Sequence, residues 1–359
     1  MRVKGFLRVV MAVFWACFLF AGGAYSGENG ECQCPAFSSF YCKSLHFTGK
    51  GMRYWYEAPD GFMKLTGIPY DKLSCNHCHA TSCDKCHGVE KNGKMAFSIA
   101  KTKKTATCYA CHLRGKVSAQ FDEKAGFKDV HMAKGMTCTN CHHANDVHGN
   151  GTSYYSMRDK GAVEAKCTNC HKPGQNFNAK LRAHRVHRGK LGCEACHVKA
   201  TMTCYNCHFI EGHKKTAFFP VKTWTMLVNY NNKVTVGGAM TLVWKGKKFI
   251  AYAPRFTHSI MAKGRDCADC HGNKAMQLIK SGKKVPVMDF KDGKVIPWKG
   301  VVPLAPQKIY FAFMEKDKNG KWYKLPDNTP IQVQFADYAR PLTKKQLKRL
   351  MMPFGRRRQ

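Results

Sequence analysis

The apolar residues of this chain form one continuous run near its start, over residues 9–20, and shorter runs in its second half. Arg2, Lys4 and Arg8 precede the first run, and small residues that end at Ser26 follow it. This order of basic, apolar and small residues is typical of a secretory signal peptide. A retained membrane helix is the alternative, but the run is shorter than the roughly 18 apolar residues of a spanning segment. We therefore predict cleavage near Ser26 and export to the periplasm or the outer cell surface.

The first group of later runs predicts a small antiparallel meander over residues 217–256, because β-branched and aromatic residues alternate there with turn residues. The turns are predicted at Asn231-Asn232, Gly237-Gly238 and Lys245-Gly246. The strands are predicted at Trp224–Tyr230, Lys233–Val236, Met240–Trp244 and Phe249–Ala253.

The second group predicts a β-rich module over residues 276–342, with a turn at Lys318-Asn319-Gly320. Its strands are predicted at Ile309–Met314, Lys321–Lys324 and Ile331–Phe335. Basic residues dominate the tail over residues 343–359, which is predicted to be a solvated end. Docking of this tail onto an anionic membrane or an acidic partner is the alternative.

The pattern Cys-x-x-Cys-His occurs eight times in the central part of the chain, and we number these motifs one to eight. They are Cys75/Cys78/His79, Cys83/Cys86/His87, Cys108/Cys111/His112, Cys138/Cys141/His142, Cys167/Cys170/His171, Cys193/Cys196/His197, Cys204/Cys207/His208 and Cys267/Cys270/His271. This spacing is the signature of c-type haem attachment. Two thiols one helical turn apart add to the vinyl groups of one porphyrin, and the adjacent histidine binds the iron as proximal ligand. We therefore predict eight covalently attached haem c groups.

Structural zinc is the alternative for such cysteine pairs, because two Cys-x-x-Cys units can close one tetrahedral site. Zinc has no need of a histidine directly after each second cysteine, whereas all eight motifs carry one. Haem attachment is therefore strongly favoured.

The density of these motifs predicts an unusual fold, since about one haem per 25 residues leaves little protein for an ordinary core. We expect a mostly irregular chain with short α-helices around stacked haems, plus small antiparallel β modules. Only Ala80-Thr81-Ser82 separates motif one from motif two, and only residues 198–203 separate motif six from motif seven. Such short links cannot hold porphyrins far apart, so both pairs are predicted to be in near contact.

Nine histidines outside the proximal positions are candidates for the second axial ligand. His77 lies between the two cysteines of motif one and is predicted to be the spare. His143 directly follows His142 and cannot reach the same iron, so it is predicted to serve another haem. Methionine is the alternative ligand, but the 17 methionines are interpreted as packing residues. The eight distal candidates are His46, His131, His143, His148, His184, His187, His213 and His258.

Cysteines outside the motifs number four of the twenty, and Cys17 falls in the predicted signal peptide. In an oxidising compartment two of Cys32, Cys34 and Cys42 are expected to pair, with Cys42 as the shared partner. The third is then free or cross-links another chain. The predicted segments are the signal peptide 1–26, an irregular N-terminal cap 27–74, an octahaem core 75–275 with the β insertion 217–256, the β-rich module 276–342 and the basic tail 343–359.

The formal charge of +36 is the remaining feature that bears on partners. Ionised haem propionates would offset part of it, and the remainder favours an acidic redox protein or an anionic surface. Nucleic acid is not expected as a partner, because the chain carries no recognition motif for it.

The repeated motifs and scattered distal histidines resemble the multihaem c-type cytochromes, in particular the class III and octahaem cytochromes of anaerobic, metal- and sulfur-respiring bacteria. The resemblance covers residues 75–271 and implies an electron carrier with bis-His haems of low potential, with no catalytic residue. An octahaem reductase of a nitrogen or sulfur oxyanion is the second hypothesis, but it requires one open iron and all eight proximal positions are His. A recruited Lys134 or Lys190 would be a displaceable ligand in that case. A homo-oligomer or cytochrome filament, joined through a spare His or Cys, is a third hypothesis.

Overall fold

The computed structural model describes residues 40–73, 79–205 and 219–353. Contacts divide these residues into two compact units. Unit 1 contains residues 40–51, 79–111 and 137–164, and unit 2 contains residues 52–73, 112–136, 165–205 and 219–353. Several predictions fall outside the described residues, namely those for the signal peptide, Cys17, Cys32, Cys34, Cys75, His77, Cys78, Cys207, His208, His213 and residues 354–359.

The helices are short, as the motif density predicts, and the longest of those described has 12 residues. They are α1 Leu45–Thr48, α2 Lys50–Glu57, α3 Phe62–Thr66, α4 Asp84–His87, α5 Ile99–Thr102, α6 Thr105–Tyr109, α7 Leu113–Lys124, α8 Val130–Ala133, α9 Ala144–His148, α10 Cys167–Cys170, α11 Arg182–His187, α12 Glu194–His197, α13 Cys267–Cys270, α14 Lys274–Lys280 and α15 Lys344–Met351. The prediction of an irregular N-terminal cap is wrong in this respect, because residues 40–73 contain α1, α2 and α3. Gly49 and Gly67 end α1 and α3 with left-handed backbone, which only glycine adopts without strain.

The strands form one large mixed sheet in unit 2 and three small sheets. They are β1 Gly88–Lys91, β2 Lys94–Phe97, β3 Thr203–Tyr205, β4 Phe219–Val221, β5 Trp224–Tyr230, β6 Lys233–Trp244, β7 Lys247–Pro254, β8 Val285–Lys291, β9 Lys294–Pro297, β10 Gly300–Pro303, β11 Ile309–Phe311, β12 Met314–Lys316, β13 Trp322–Lys324 and β14 Ile331–Phe335. The large sheet has the order β10-β5-β6-β3-β4, with β7 on β6 and β14 on β7. The small sheets are β1-β2 in unit 1, and β11-β8-β9 and β12-β13 in unit 2.

The predicted meander is present as β5, β6 and β7, which pair antiparallel. Its turns at Asn231-Asn232 and Lys245-Gly246 are confirmed, since all four residues have positive φ. The sheet as a whole is not a small antiparallel module, however. Strand β10 adds parallel to β5 and β14 adds parallel to β7. Strands from the predicted insertion and from the predicted C-terminal module therefore share one sheet.

The turn predicted at Gly237-Gly238 is wrong, because both residues lie inside β6. At this point β6 changes partner from β5 to β7. A Cβ on Gly237 would lie 2.3 Å from Val228 Cγ1 and 2.9 Å from the Ala253 carbonyl oxygen. Glycine is needed at position 237 for close approach of the neighbouring strands and not for a turn.

Unit 2 has an ordinary hydrophobic core built on this sheet, despite the density of motifs. Trp224, Met226, Val302 and Leu304 are almost fully buried in it. A second cluster joins α2 and α3 to β6 and β7. The Phe62 and Phe249 rings, for example, lie with their centroids 4.0 Å apart.

The basic tail begins with a helix, which corrects the prediction of a solvated end over its first residues. Thr343 and Gln346 form a capping box at the start of α15, and Leu350 is buried against the core of unit 2. The sequence Thr-Lys-Lys-Gln before an apolar Leu-x-x-Leu pair is a helix-start signal that the sequence analysis missed.

A buried ion pair connects α7 with the residue that follows β4. Lys222 Nζ contacts the carboxylate of Asp122 and donates to the Ser118 carbonyl oxygen at 3.0 Å. The two charged side chains are only 4% and 6% exposed. Burial lowers the pKa of Lys222, while the contact with Asp122 acts in the opposite direction. Neither charge can be removed alone without leaving the other uncompensated in a low-dielectric environment.

We expect Lys222→Met to lower the free energy of unfolding by about 3–5 kcal/mol, because Asp122 is left as a buried unpaired charge. The double variant Lys222→Met with Asp122→Leu should lose much less. Lys291→Met removes the exposed partner of Asp289 and serves as the control, with an effect below about 1 kcal/mol. Denaturant unfolding followed by far-UV circular dichroism measures all three, and equal losses for Lys222→Met and Lys291→Met would contradict the prediction.

Candidate haem-binding sites

Five of the Cys-x-x-Cys-His motifs fold into single helical turns in the described part of the chain, whereas Cys204 of motif seven lies in β3. In motif two, the His87 backbone N–H donates to the Cys83 carbonyl oxygen at 2.8 Å. The same bond, from the histidine to the first cysteine, closes motifs four, five, six and eight at 2.8–3.0 Å. Residues three apart in a helical turn lie on one face, so both thiols of each motif point to the same side. This is the local geometry that double attachment to one porphyrin requires.

None of the described motif cysteines is in a disulfide bond. Thioether formation needs this state, since a disulfide would remove the nucleophile. They are Cys83, Cys86, Cys108, Cys111, Cys138, Cys141, Cys167, Cys170, Cys193, Cys196, Cys204, Cys267 and Cys270.

Four predicted distal histidines face the histidine of a motif. In unit 1, the centroids of His148 and His87 of motif two are 6.0 Å apart. Unit 2 contains the other three pairs, which are His131 with His171 of motif five at 6.1 Å, His184 with His197 of motif six at 6.4 Å, and His187 with His271 of motif eight at 6.1 Å. The structure thus brings together residues up to 84 positions apart along the chain.

The separation within these pairs fits one metal ion between two rings. Imidazoles that bind the same ion from opposite sides, each through a bond of about 2 Å, have centroids roughly 6 Å apart. Their interplanar angles range from 20° to 67°, which coaxial ligands tolerate because each ring turns freely about its own metal–nitrogen axis. The residues present therefore fit the two axial positions of a haem iron.

The other ring nitrogen of five of these eight histidines contacts a backbone carbonyl oxygen, and Nδ1 of His131 lies 3.4 Å from the Asp129 carboxylate. His197 Nδ1 lies 3.0 Å from the Met261 carbonyl oxygen, and His271 Nδ1 lies 3.0 Å from that of Arg349. The remaining carbonyl partners are Asn176 for His171 at 3.4 Å, Asn178 for His184 at 2.7 Å and Ala183 for His187 at 3.0 Å. A proton held on Nδ1 leaves Nε2 as the nitrogen that can bind a metal.

Burial also favours the neutral form of two distal candidates. It lowers the pKa of His148, and the facing His87 ring lowers it further. It is the largest cause of the lowered pKa of His187, with the hydrogen bond to the Ala183 carbonyl opposing it. A metal ligand must be the neutral imidazole, so these environments match the predicted role.

The other described candidates lie in less defined surroundings. His143 is exposed at the N-cap of α9, and His258 is exposed after β7. The carbonyl oxygen of His46 accepts a hydrogen bond from the Ala80 backbone at 2.9 Å, which holds α1 beside motif one. His112 of motif three is exposed at the N-cap of α7.

Cysteines of different motifs lie next to each other in both units. In unit 1, the Cys108 thiol donates to Cys138, and this hydrogen bond lowers the pKa of Cys138 to about 6. In unit 2, the Cys167 thiol donates a hydrogen bond to Cys193, and this bond lowers the pKa of Cys193 to about 6. Motif three therefore touches motif four, and motif five touches motif six.

An arginine that the sequence analysis did not identify connects motif six to motif eight. The side chain of Arg265 donates to the carbonyl oxygens of Val198 at 2.6 Å and Lys199 at 2.5 Å. Its backbone N–H donates to the Cys196 carbonyl oxygen at 2.9 Å. Arg265 precedes Cys267 by two residues, so it fixes the start of motif eight against the end of motif six. No motif marks this residue in the sequence.

Cys42 is disulfide-bonded. Cys32 and Cys34 lie outside the described residues.

Comparison with known proteins gives two relatives, while no family model and no solved structure matches the chain. The chain is similar to the dissimilatory sulfite reductase MccA of Wolinella succinogenes, with 24% identity over 263 residues, 60% of this chain and 36% of that protein. It is also similar to the cytochrome c-type protein NrfB of Haemophilus influenzae, with 35% identity over 129 residues, 36% of this chain and 49% of that protein. The chain spans about a third to a half of the length of these curated relatives. The similarities support the interpretation of the chain as a multihaem c-type cytochrome.

None of the helices in the described part of the chain is long and apolar enough to cross a membrane.

The close approach of Gly49 to His79 of motif one gives a direct test of this site. A Cβ at Gly49 would lie 1.9 Å from His79 Cε1 and Nε2, whereas a Cβ at Gly67 meets no atom within 4 Å. Both glycines have positive φ, so alanine at either position carries similar backbone strain of about 1–2 kcal/mol.

We expect Gly67→Ala to lower the thermal unfolding midpoint slightly and to leave the haem spectrum unchanged. Gly49→Ala should lower the midpoint further and change the electron paramagnetic resonance (EPR) spectrum of one haem, because the His79 ring must move. Identical midpoints and identical spectra for the two variants would show that His79 is not held against Gly49.

Proposed function

We propose that this chain is an exported c-type cytochrome that carries electrons one at a time along eight bis-His haems, between a respiratory donor and a terminal or extracellular acceptor. The observation that carries the proposal is the set of four histidine pairs at 6.0–6.4 Å. An iron with a histidine on each side has no free position for a substrate. Such a centre is suited to electron transfer and not to bond-making chemistry.

The haem supplies the one-electron Fe(III)/Fe(II) couple. The motif cysteines hold it at a fixed place, and the paired histidines exclude other ligands from the iron. Hydrogen bonds from Nδ1 to backbone carbonyls, such as His197 to Met261, fix the orientation of the rings. No side chain is required as an acid, base or nucleophile.

The order of contacts between motifs supports a path within each unit. In unit 1, Cys111 neighbours Cys86, and Cys108 donates to Cys138, which gives the order two, three, four. In unit 2, Cys167 donates to Cys193, and Cys196 neighbours Cys267, which gives the order five, six, eight. Because the cysteines would hold each porphyrin at its edge, haems on these neighbouring motifs would be close enough to exchange electrons.

A reductase of a sulfur or nitrogen oxyanion is the second candidate function, and the similarity to a dissimilatory sulfite reductase favours it. This function needs at least one iron with an open or exchangeable position. Such an iron would belong to a motif outside the four pairs, namely motif one, three, four or seven. The two candidates therefore differ in the coordination of those irons.

We expect EPR of the oxidised protein at low temperature to show only low-spin haem, unchanged by azide or sulfite. This outcome follows if every iron carries two histidines. A high-spin signal that shifts when sulfite is added would contradict the electron-carrier proposal and support the reductase.

The role of His148 can be tested in the same spectra. We expect His148→Ala to create one high-spin haem that binds azide, because the side of the iron opposite His87 becomes open. His148→Met retains a possible axial ligand and should remain low-spin, with a more positive potential. If His148→Ala remains fully low-spin, His148 is not the ligand.

We also propose that α15 binds an acidic redox partner at motif eight. Lys344, Lys345 and Lys348 are exposed on this helix. Lys345, Lys348, Arg349 and Met352 line a surface cleft of about 310 Å³. The same helix contacts the predicted haem site, since the Arg349 carbonyl oxygen lies 3.0 Å from His271 Nδ1. A carboxylate-rich surface seated here would bring its redox centre close to the eighth haem.

We expect Lys345→Glu with Lys348→Glu to slow reduction by an acidic flavodoxin about tenfold at low ionic strength, and less at high ionic strength. Lys283→Glu with Lys284→Glu makes the same change of net charge at exposed positions before β8 and should have little effect. Stopped-flow absorbance measures both rates. Equal slowing by the two double variants would mean that net charge, and not α15, controls the encounter.

A further inference from the structure

A carboxylate holds the ring of the histidine in motif four. His142 Nδ1 and Asp146 Oδ2 are 2.9 Å apart, and Asp146 lies one helical turn after His142, in α9. The Asp146 side chain is only 4% exposed, whereas that of His142 is 36% exposed. The contact is therefore shielded from water on the carboxylate side, where screening of its charge is weakest.

The second oxygen of this carboxylate is also engaged. Asp146 Oδ1 accepts a hydrogen bond from the Glu164 backbone N–H at 2.6 Å. With one oxygen on His142 and the other on the chain at 164, the carboxylate has a fixed orientation. Its position toward the ring is set by the fold of unit 1 and not by a flexible surface contact.

This arrangement differs from that of other motif histidines. His171, His197 and His271 lie with Nδ1 against neutral backbone carbonyl oxygens at 3.0–3.4 Å. A carboxylate is a stronger acceptor than a carbonyl, and it carries a full negative charge. An imidazole that donates to a carboxylate becomes a more basic ligand through its other nitrogen.

We propose that Asp146 is a positioning residue that lowers the reduction potential of the haem at motif four. A more basic imidazole stabilises Fe(III) over Fe(II), since the ferric ion has the greater positive charge. The inference rests on the proposed attachment of a haem to Cys138 and Cys141.

Asp146 shares the short helix α9 with a predicted axial ligand of another haem. His148 is in the same five-residue helix and faces His87 of motif two. One short helix thus supports the predicted axial ligands of two haems in unit 1. A substitution that disturbs α9 itself would change both haems, whereas loss of the carboxylate charge alone would change one.

The test compares neutral variants of Asp146 with a charge control nearby. In Asp146→Asn the side chain keeps an oxygen that can accept from the Glu164 N–H. It loses the negative charge that lies beside His142. Asp146→Ser is a second neutral variant that keeps a smaller acceptor. Glu164→Gln removes a carboxylate that lies 3.4 Å from the amide of Asn145, in the same region.

Mass spectrometry of the peptide with Cys138 and Cys141 first shows whether a haem is attached, which tests the proposed function separately from this inference. Potentiometry followed by visible absorbance should then show one one-electron component moved to a more positive potential in both Asp146 variants. The EPR g values of one low-spin haem should change with it, and the Glu164→Gln protein should match the wild type. With haem attached, unchanged potentials in both Asp146 variants, or an equal shift in Glu164→Gln, would overturn the inference.

Discussion

The distance between facing imidazole rings is the constraint on which the rest of this structure depends. A metal ion held by two histidines fixes their separation to within a few tenths of an ångström, and the chain meets this requirement with residues that are far apart in sequence. In each of the four pairs, the helical turn of a motif supplies one ring. A separate short element, α8, α9 or α11, supplies the ring that faces it. Backbone carbonyls then fix the ring orientations, so most of the accuracy comes from the main chain and little from side-chain packing.

The two units meet this constraint by different means. Unit 1 contains short helices and one hairpin, with a described core limited to a few buried residues. Unit 2 adds a seven-stranded sheet with an ordinary apolar core. Its motifs six and eight lie against that core through Ala195 and Cys270, and Arg265 donates to Thr225 of β5 at 3.0 Å. The sheet therefore gives unit 2 a source of stability that does not depend on porphyrin contacts. This difference follows from the runs of β-branched and aromatic residues after motif seven, which form most strands of that sheet.

The sequence was sufficient to predict the local form of the motifs, because their spacing suits one helical turn and five of them adopt it. It was also sufficient for the Asn231-Asn232 turn, where left-handed backbone has a clear residue preference. The sequence could not show which histidine faces which motif. His131, for example, faces His171 of motif five, although His131 lies nearer in sequence to motif four. Gly237 was misjudged because close strand approach and a turn favour the same residue. The partners of Asp146 and Arg265 depend on tertiary contacts that no local pattern records.

The contacts between cysteines of different motifs have a consequence for biogenesis. The thiols of Cys108 and Cys138, and likewise those of Cys167 and Cys193, lie within hydrogen-bonding distance of each other. In an oxidising compartment such neighbouring thiols are substrates for disulfide formation, and a lowered thiol pKa increases the attacking thiolate. A disulfide between motifs would block two porphyrins at once. Under the proposed function, haem attachment would compete in time with this oxidation, and a maturing chain would need a reductant, or delayed compaction, until its thioether bonds are made.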